Sequence, residues 1–204
     1  MYRHFKRLID LVGALVILLL ISPLYIILAI LVRINLGSPI LFKQQRTGLR
    51  AKNFYIMKFR TMSDKRDAEG NLLPDHFRVS KLGVFLRSSS LDELPELFNI
   101  IKGDMSFIGP RPLPSSYNPY YTEKERKRFD VRGGLVPPDS IDPNPIISWD
   151  KQFEYEASYA ENLSLWLDIN IVINAFRIVF QRNNSDYGSF ERKALYEERK
   201  DMKK

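Results

Sequence analysis

Apolar positions along this chain follow three patterns. From residue 11 to residue 32 nearly every side chain is Leu, Ile, Val or Ala, with Ser22-Pro23 at the centre. A run of this length can cross a bilayer, which needs about 20 residues. Proline removes a backbone donor and collides with the carbonyl one turn back, so the pattern predicts two half-helices around a break at Ser22 and Pro23. Each half rises roughly 16 Å, against a hydrocarbon core of roughly 30 Å.

After a turn at Gly37-Ser38-Pro39, the second pattern is short and strand-like. Residues 40 to 42 and 53 to 59 read as strands around the basic turn at residues 46 to 50. Residues 63 to 78 are polar and read as an exposed loop. The third pattern is helical. Residues 84 to 98 form a helix with a break, and Leu91, Leu94, Leu97, Phe98 and Ile101 share one apolar face. Residues 122 to 129 form a charged helix capped by Thr122. Residues 133 to 147, rich in Pro and Gly, form an extended loop.

Two further helices cover residues 150 to 161 and 164 to 181. The last is apolar except for a stripe at Asn170, Asn174, Arg177 and Gln181, the pattern of a helix lying partly in the core and partly in a lipid interface. The predicted fold is α+β. It comprises a membrane helix-break-helix over 1–36, a small, mostly helical domain over 37–182 with a short β-hairpin and interfacial amphipathic helices, and a charged, frayed or solvated tail over 183–204.

Charge decides how the apolar run meets the membrane. Arg3, Lys6 and Arg7 precede it, and Arg33, Lys43, Arg46, Arg50 and Lys52 follow it. Basic flanks stay on the cytoplasmic side. A re-entrant hairpin satisfies both flanks, whereas a kinked span would translocate one of them. The re-entrant form is favoured over the span, and over a cleaved signal, for which the run is too long. The net charge of +7 suits anionic partners such as lipid head groups and nucleotides. The membrane segment accounts for enough of it that nucleic acid is not an expected partner. The chain has no cysteine, which excludes disulfides and thiolate metal sites. Its two histidines, His4 and His76, flank the membrane unit and lie in a loop, which argues against imidazole catalysis.

Asp92-Glu93 is the sharpest chemical feature. Ser90 and Glu93 have capping-box spacing, and Asp92 would sit in the favourable first turn, so the pair has a purely structural explanation. The same geometry would keep Asp92 ionised as a nucleophile or metal ligand, with Glu93 about 100° further round the helix. Lys58 and Arg60 project on one face of a strand, Arg87 lies just upstream, and Arg111 is mounted between Pro110 and Pro112. Each is either a surface salt-bridge partner or part of a phosphate-binding set.

These stretches together resemble the bacterial sugar transferase family, the monotopic polyprenyl-phosphate phosphoglycosyl transferases in their minimal form. The resemblance rests on the basic N-terminus with Asp10, the Ser22-Pro23 break and residues 37 to 48. It also rests on Lys58-Phe59-Arg60-Thr61-Met62, Leu91-Asp92-Glu93-Leu94-Pro95-Glu96 and Gly103 through Pro112, all in the family's order. It implies transfer of a sugar 1-phosphate from a UDP-sugar to undecaprenyl phosphate, with release of UMP. Asp92 is then the nucleophile and Glu93 its dyad partner. Mg2+ is held by Asp92, with Glu93 as second candidate, while Lys58, Arg60, Arg87 and Arg111 bind phosphate. The implied location is the cytoplasmic face of the bacterial inner membrane. The partners are the donor, the lipid acceptor and membrane lipids, with the oligomeric state and the sugar left open. The chain departs from the family pattern at Arg132-Gly133-Gly134-Leu135-Val136-Pro137-Pro138, a difference that bears on donor recognition. A metal-dependent hydrolase of nucleotide sugars and a non-catalytic membrane scaffold are the competing functions.

Overall fold

The computed structural model describes residues 2–142, 144, 147–181 and 192–200. The chain forms two compact units, one of Met1–Asp10, Gln45–Phe54 and Gly103–Lys204, the other of Leu11–Gln44 and Tyr55–Lys102. Helix α1, Tyr2–Leu36, contributes to both. It is a single helix that contains Pro23, where the sequence pattern predicts two half-helices. The reason is local. Proline cannot donate to the Leu19 carbonyl, and the Ser22 hydroxyl donates to it instead at 2.9 Å. Gly37, at φ 75, ends the helix, its N–H bonding the Arg33 carbonyl at 3.1 Å.

In the second unit, strands β1 (Leu41–Thr47) and β2 (Asn53–Phe59) pair as a hairpin whose turn end belongs to the first unit. Leu28 and Val32 of α1 pack with Phe59 and Leu86 to form the apolar core. The polar stretch at 63 to 78 is irregular except for the turn of helix α2, Asp75–Arg78. Helix α3, Lys81–Ser88, starts at a Ser80 cap that accepts the Gly83 N–H at 2.9 Å. Gly83 lies against the chain: a Cβ there would sit 2.0 Å from the Thr61 carbonyl oxygen. A 3-10 turn, Leu91–Glu93, leads into α4, Glu96–Lys102. The turn and Pro95 shift the helical phase, so Leu97 and Ile100 are buried while Phe98, expected on the apolar face, is 37% exposed. Asn99 on α4 grips β2, accepting from the Met57 N–H at 3.0 Å and donating to the Tyr55 carbonyl at 2.8 Å.

The first unit is built on strands β3 (Met105–Ile108) and β4 (Gly133–Val136), which pair in parallel with Met105 opposite Gly133 and Ile108 opposite Val136. The loop predicted from residue 133 therefore begins as a strand. Its glycines allow this: a Cβ on Gly134 would lie 2.1 Å from the Gly109 nitrogen, closer than any side chain tolerates. Thr122 and Glu125 form a reciprocal capping box, but the segment they start, Glu125–Asp130, is a 3-10 helix. Helices α5 (Trp149–Glu161) and α6 (Leu165–Gln181) cover the sheet, starting at Ser148 and Ser164, whose hydroxyls accept from Lys151 and Leu167. On α6 one face is buried at Ile171 and Asp168, the core-facing part expected of it, while Trp166, Ile173 and Phe176 are exposed.

Residues 192 to 200 are docked, contrary to the frayed or solvated end expected, and include the short helix α7, Leu195–Glu198. Leu195 is fully buried with Trp149, Phe153, Tyr121 and Phe129. Arg199 pairs with Glu125 at 2.8 Å and with Asp150.

Candidate active site

Strand β2 ends by presenting Lys58 to the turn that carries the two carboxylates. Lys58 Nζ lies 2.5 Å from Glu93 Oε1 and 3.3 Å from Glu96 Oε1. Glu96 is buried and is a site residue that the sequence reading did not single out. Its only sequence signal is its place in the Leu-Asp-Glu-Leu-Pro-Glu run. The capping-box explanation of the carboxylates fails here. Ser90 has a left-handed backbone, φ 56, and its side chain makes no cap hydrogen bond, while Glu93 Oε1 accepts from Lys58. Asp92 is half-buried.

The direction of the Asp92 pKa shift is opposite to the one expected of a carboxylate at a helix start. A three-residue 3-10 turn supplies little helix dipole, and burial pushes the Asp92 carboxyl above its ordinary value. Lys58 pulls it back down, Glu93 pushes it up, and Arg87 lowers it further. Lys58, Arg87, Asp92 and Glu93 therefore form one electrostatic cluster. The Arg87 Nε donates to Thr61 Oγ1 at 2.9 Å, which fixes its guanidinium. Thr61 is a second positioning residue that the sequence reading missed.

Arg60 is directed elsewhere. It is buried and donates to the carbonyls of Leu36 and Pro39, at 3.3 and 3.1 Å, and to Asp64 at 2.6 Å, so it fastens the end of α1. Strand β2 stops at Phe59, which ends the alternation that would have put Arg60 beside Lys58. Arg111 belongs to the first unit and is exposed. Its backbone is gripped from both sides: its N–H donates to Glu156 at 3.0 Å, and its carbonyl accepts from Arg128 at 2.6 Å. Arg128 and Glu156 are a buried ion pair at 2.9 Å, so the rigid mount expected from the flanking prolines is reinforced by a charge pair.

Residues 1–182 match the family model described as bacterial sugar transferase. The chain belongs to the bacterial sugar transferase family. It is 45% identical over 174 residues to EpsL, an uncharacterised sugar transferase of Bacillus subtilis, covering 85% of this chain and 86% of that one. A UDP-glucose:undecaprenyl-phosphate glucose-1-phosphate transferase of Klebsiella pneumoniae is 35% identical over 82% of this chain. An Aeromonas hydrophila enzyme named for N-acetylgalactosamine phosphate transfer to undecaprenyl phosphate is 32% identical over 87%. The chain spans only 38% and 44% of these last two proteins.

The Asp92 carboxylate stands in the field of Lys58 and Arg87. Asp92 and Glu93 are adjacent hard oxygen donors of the kind that bind magnesium through one or two carboxylates plus substrate phosphate. Among the described residues no group of three or more His, Asp or Glu side chains is arranged to hold a metal ion.

Proposed function

We propose that this sugar transferase moves a sugar 1-phosphate from a UDP-sugar to undecaprenyl phosphate through a covalent intermediate on Asp92. The supporting observation is the half-buried Asp92 beside Glu93, held in the field of Lys58 and Arg87. An Asp92 carboxylate oxygen attacks the phosphorus that bears the sugar. One P–O bond forms, the bond to the bridging oxygen breaks, and UMP leaves with that electron pair. A phosphate oxygen of the lipid then attacks the same phosphorus and releases Asp92. Splitting the transfer this way lets a water-soluble donor and a membrane acceptor bind in turn.

Lys58 and Arg87 offset the charge that moves onto the leaving phosphate, and Thr61 holds Arg87 in place. Lys58 also keeps Glu93 oriented beside the nucleophile. Magnesium bound by Asp92 and Glu93 would neutralise diphosphate charge.

The reading includes a re-entrant α1 in the bacterial inner membrane with both ends on the cytoplasmic face. Support comes from the basic flanks and from burial at both ends of α1. Lys6 and Asp10 are buried in the first unit, and Leu28 and Val32 in the second, while Leu19 and Leu20 between them are 75% and 73% exposed. Such leucines need lipid.

The deciding experiment incubates the protein with UDP-sugars and magnesium, without lipid, and weighs the intact chain. A sugar-phosphate adduct that is absent in Asp92→Asn and discharged by undecaprenyl phosphate is the expected result. Continuous UMP release without acceptor would show a hydrolase instead. No adduct and no release across the donor panel would leave only a scaffold.

A further inference from the structure

Within the first unit, a cavity of about 480 Å³ opens beside the first turns of α1, and the transfer chemistry above makes no use of it. Among the described residues its wall carries the cations Arg3, Lys6, Arg7, Arg50 and Arg132 and the carboxylates Asp10 and Asp130. Part of this charge is already matched within the fold. Lys6 lies 2.8 Å from Asp168, and Asp10 accepts from the Ser106 hydroxyl at 2.8 Å and the Phe107 N–H at 3.1 Å. The other cations that line the cavity are the guanidinium groups of Arg3, Arg7, Arg50 and Arg132.

Two of these groups converge on Gly103. Arg132 Nε donates to its carbonyl at 2.8 Å, and a Cβ at Gly103 would lie 3.2 Å from an Arg7 terminal nitrogen. Burial lowers the pKa of Arg132, Arg7 lowers it further by like-charge repulsion, and Asp10 offsets part of the effect. Arg50 is presented from a strained turn. It and Ala51 both have left-handed backbones at φ 55 in the hairpin turn. Guanidinium groups gathered in one cavity are stabilised by an anion they can fork onto, and phosphate oxygens match that geometry.

The neighbouring surface decides which phosphate. Phe5, Leu8 and Ile9, interleaved with these cations on α1, are 53%, 56% and 42% exposed, and Val12 continues the stripe into the apolar run. A free phosphate or a nucleotide would use the arginines and leave that surface bare. We infer that the cavity seats the phosphate head group of an anionic membrane phospholipid on Arg3, Arg7, Arg50 and Arg132, with its acyl chains along the exposed face of α1. Such a lipid would hold the start of α1 at head-group depth. Its binding does not depend on Asp92 chemistry.

The test titrates the full chain, in neutral detergent, with dihexanoyl phosphatidylglycerol and follows thermal unfolding. A ligand that binds only the folded state raises Tm saturably. The expected result is such a rise with phosphatidylglycerol and none with dihexanoyl phosphatidylcholine. Arg50→Gln and Arg3→Gln, both at exposed positions, should each raise the half-saturating concentration about tenfold, the loss of one charge-assisted pair. Asp92→Asn should bind the lipid as the wild type does, so failure of the transfer mechanism and failure of this site are separable. Three results would overturn the assignment: equal stabilisation by phosphatidylcholine, the same arginine-dependent rise with UMP or inorganic phosphate, or displacement of the lipid by farnesyl phosphate at equimolar concentration.

Discussion

Asp92 sits between opposing influences. Burial and Glu93 raise its pKa, and Lys58 and Arg87 lower it. Transfer needs the ionised form, so activity should fall on acidification at a pH above that of an ordinary aspartate. Removing Lys58 takes away the strongest lowering influence, so the acidic limb of kcat/KM in Lys58→Gln should move to higher pH. At neutral pH the rate should drop about a hundredfold, the usual cost of removing one electrostatic contact to a transition state. A pH-rate profile of both proteins checks this, and an unmoved limb would take Lys58 out of the site. Arg60 is the contrasting residue. Its sequence position suggested phosphate binding, whereas its hydrogen bonds go to Leu36, Pro39 and Asp64.

Backbone approach sets the limits on the secondary elements. Strands β3 and β4 can pair because Gly109 and Gly134 bring two main chains closer than any Cβ allows. Gly134→Ala should therefore destabilise the protein by about 3 kcal/mol or more, a severe overpacking cost, measurable as a lowered denaturation midpoint. The departure from the family pattern at residues 132 to 138 is thus compatible with an ordered strand. Ser22 and Pro23 show a related effect in α1. The proline was legible as a helix breaker; the helix runs through it, and the Ser22 hydroxyl donates to the Leu19 carbonyl, a bond of the kind that bends helices.

For the whole molecule, the anchoring of α1 matters most. Asp168 accepts from Lys6 at 2.8 Å, from Tyr2 at 2.5 Å and from Tyr159 at 2.6 Å, which ties the first turns of α1 to α5 and α6 of the same unit. At the other end, Arg60 and the cluster of Leu28, Val32, Phe59 and Leu86 hold the helix within the second unit. A re-entrant α1 predicts that its two ends face the same side of the membrane. Because the chain lacks cysteine, His4→Cys and Lys43→Cys can each be introduced alone and reacted with an impermeant maleimide in inside-out and right-side-out vesicles. Both should label only in inside-out vesicles. Opposite labelling would establish a span.

Sequence alone determined the apolar run and its basic flanks, most of the helices, the hairpin and the Asp92-Glu93 pair. These are legible because periodicity, caps and turn residues act over a few neighbouring positions. Tertiary structure decided what each charge does. It paired Lys58 with Glu93 and Glu96, set Thr61 behind Arg87, withdrew Arg60 to the end of α1 and gathered arginines from α1, the hairpin turn and residue 132 around one cavity. A charged side chain takes its partner from whatever the fold brings within a few ångströms, and such partners lie as far as 166 positions away along the chain, as with Asp168 and Tyr2.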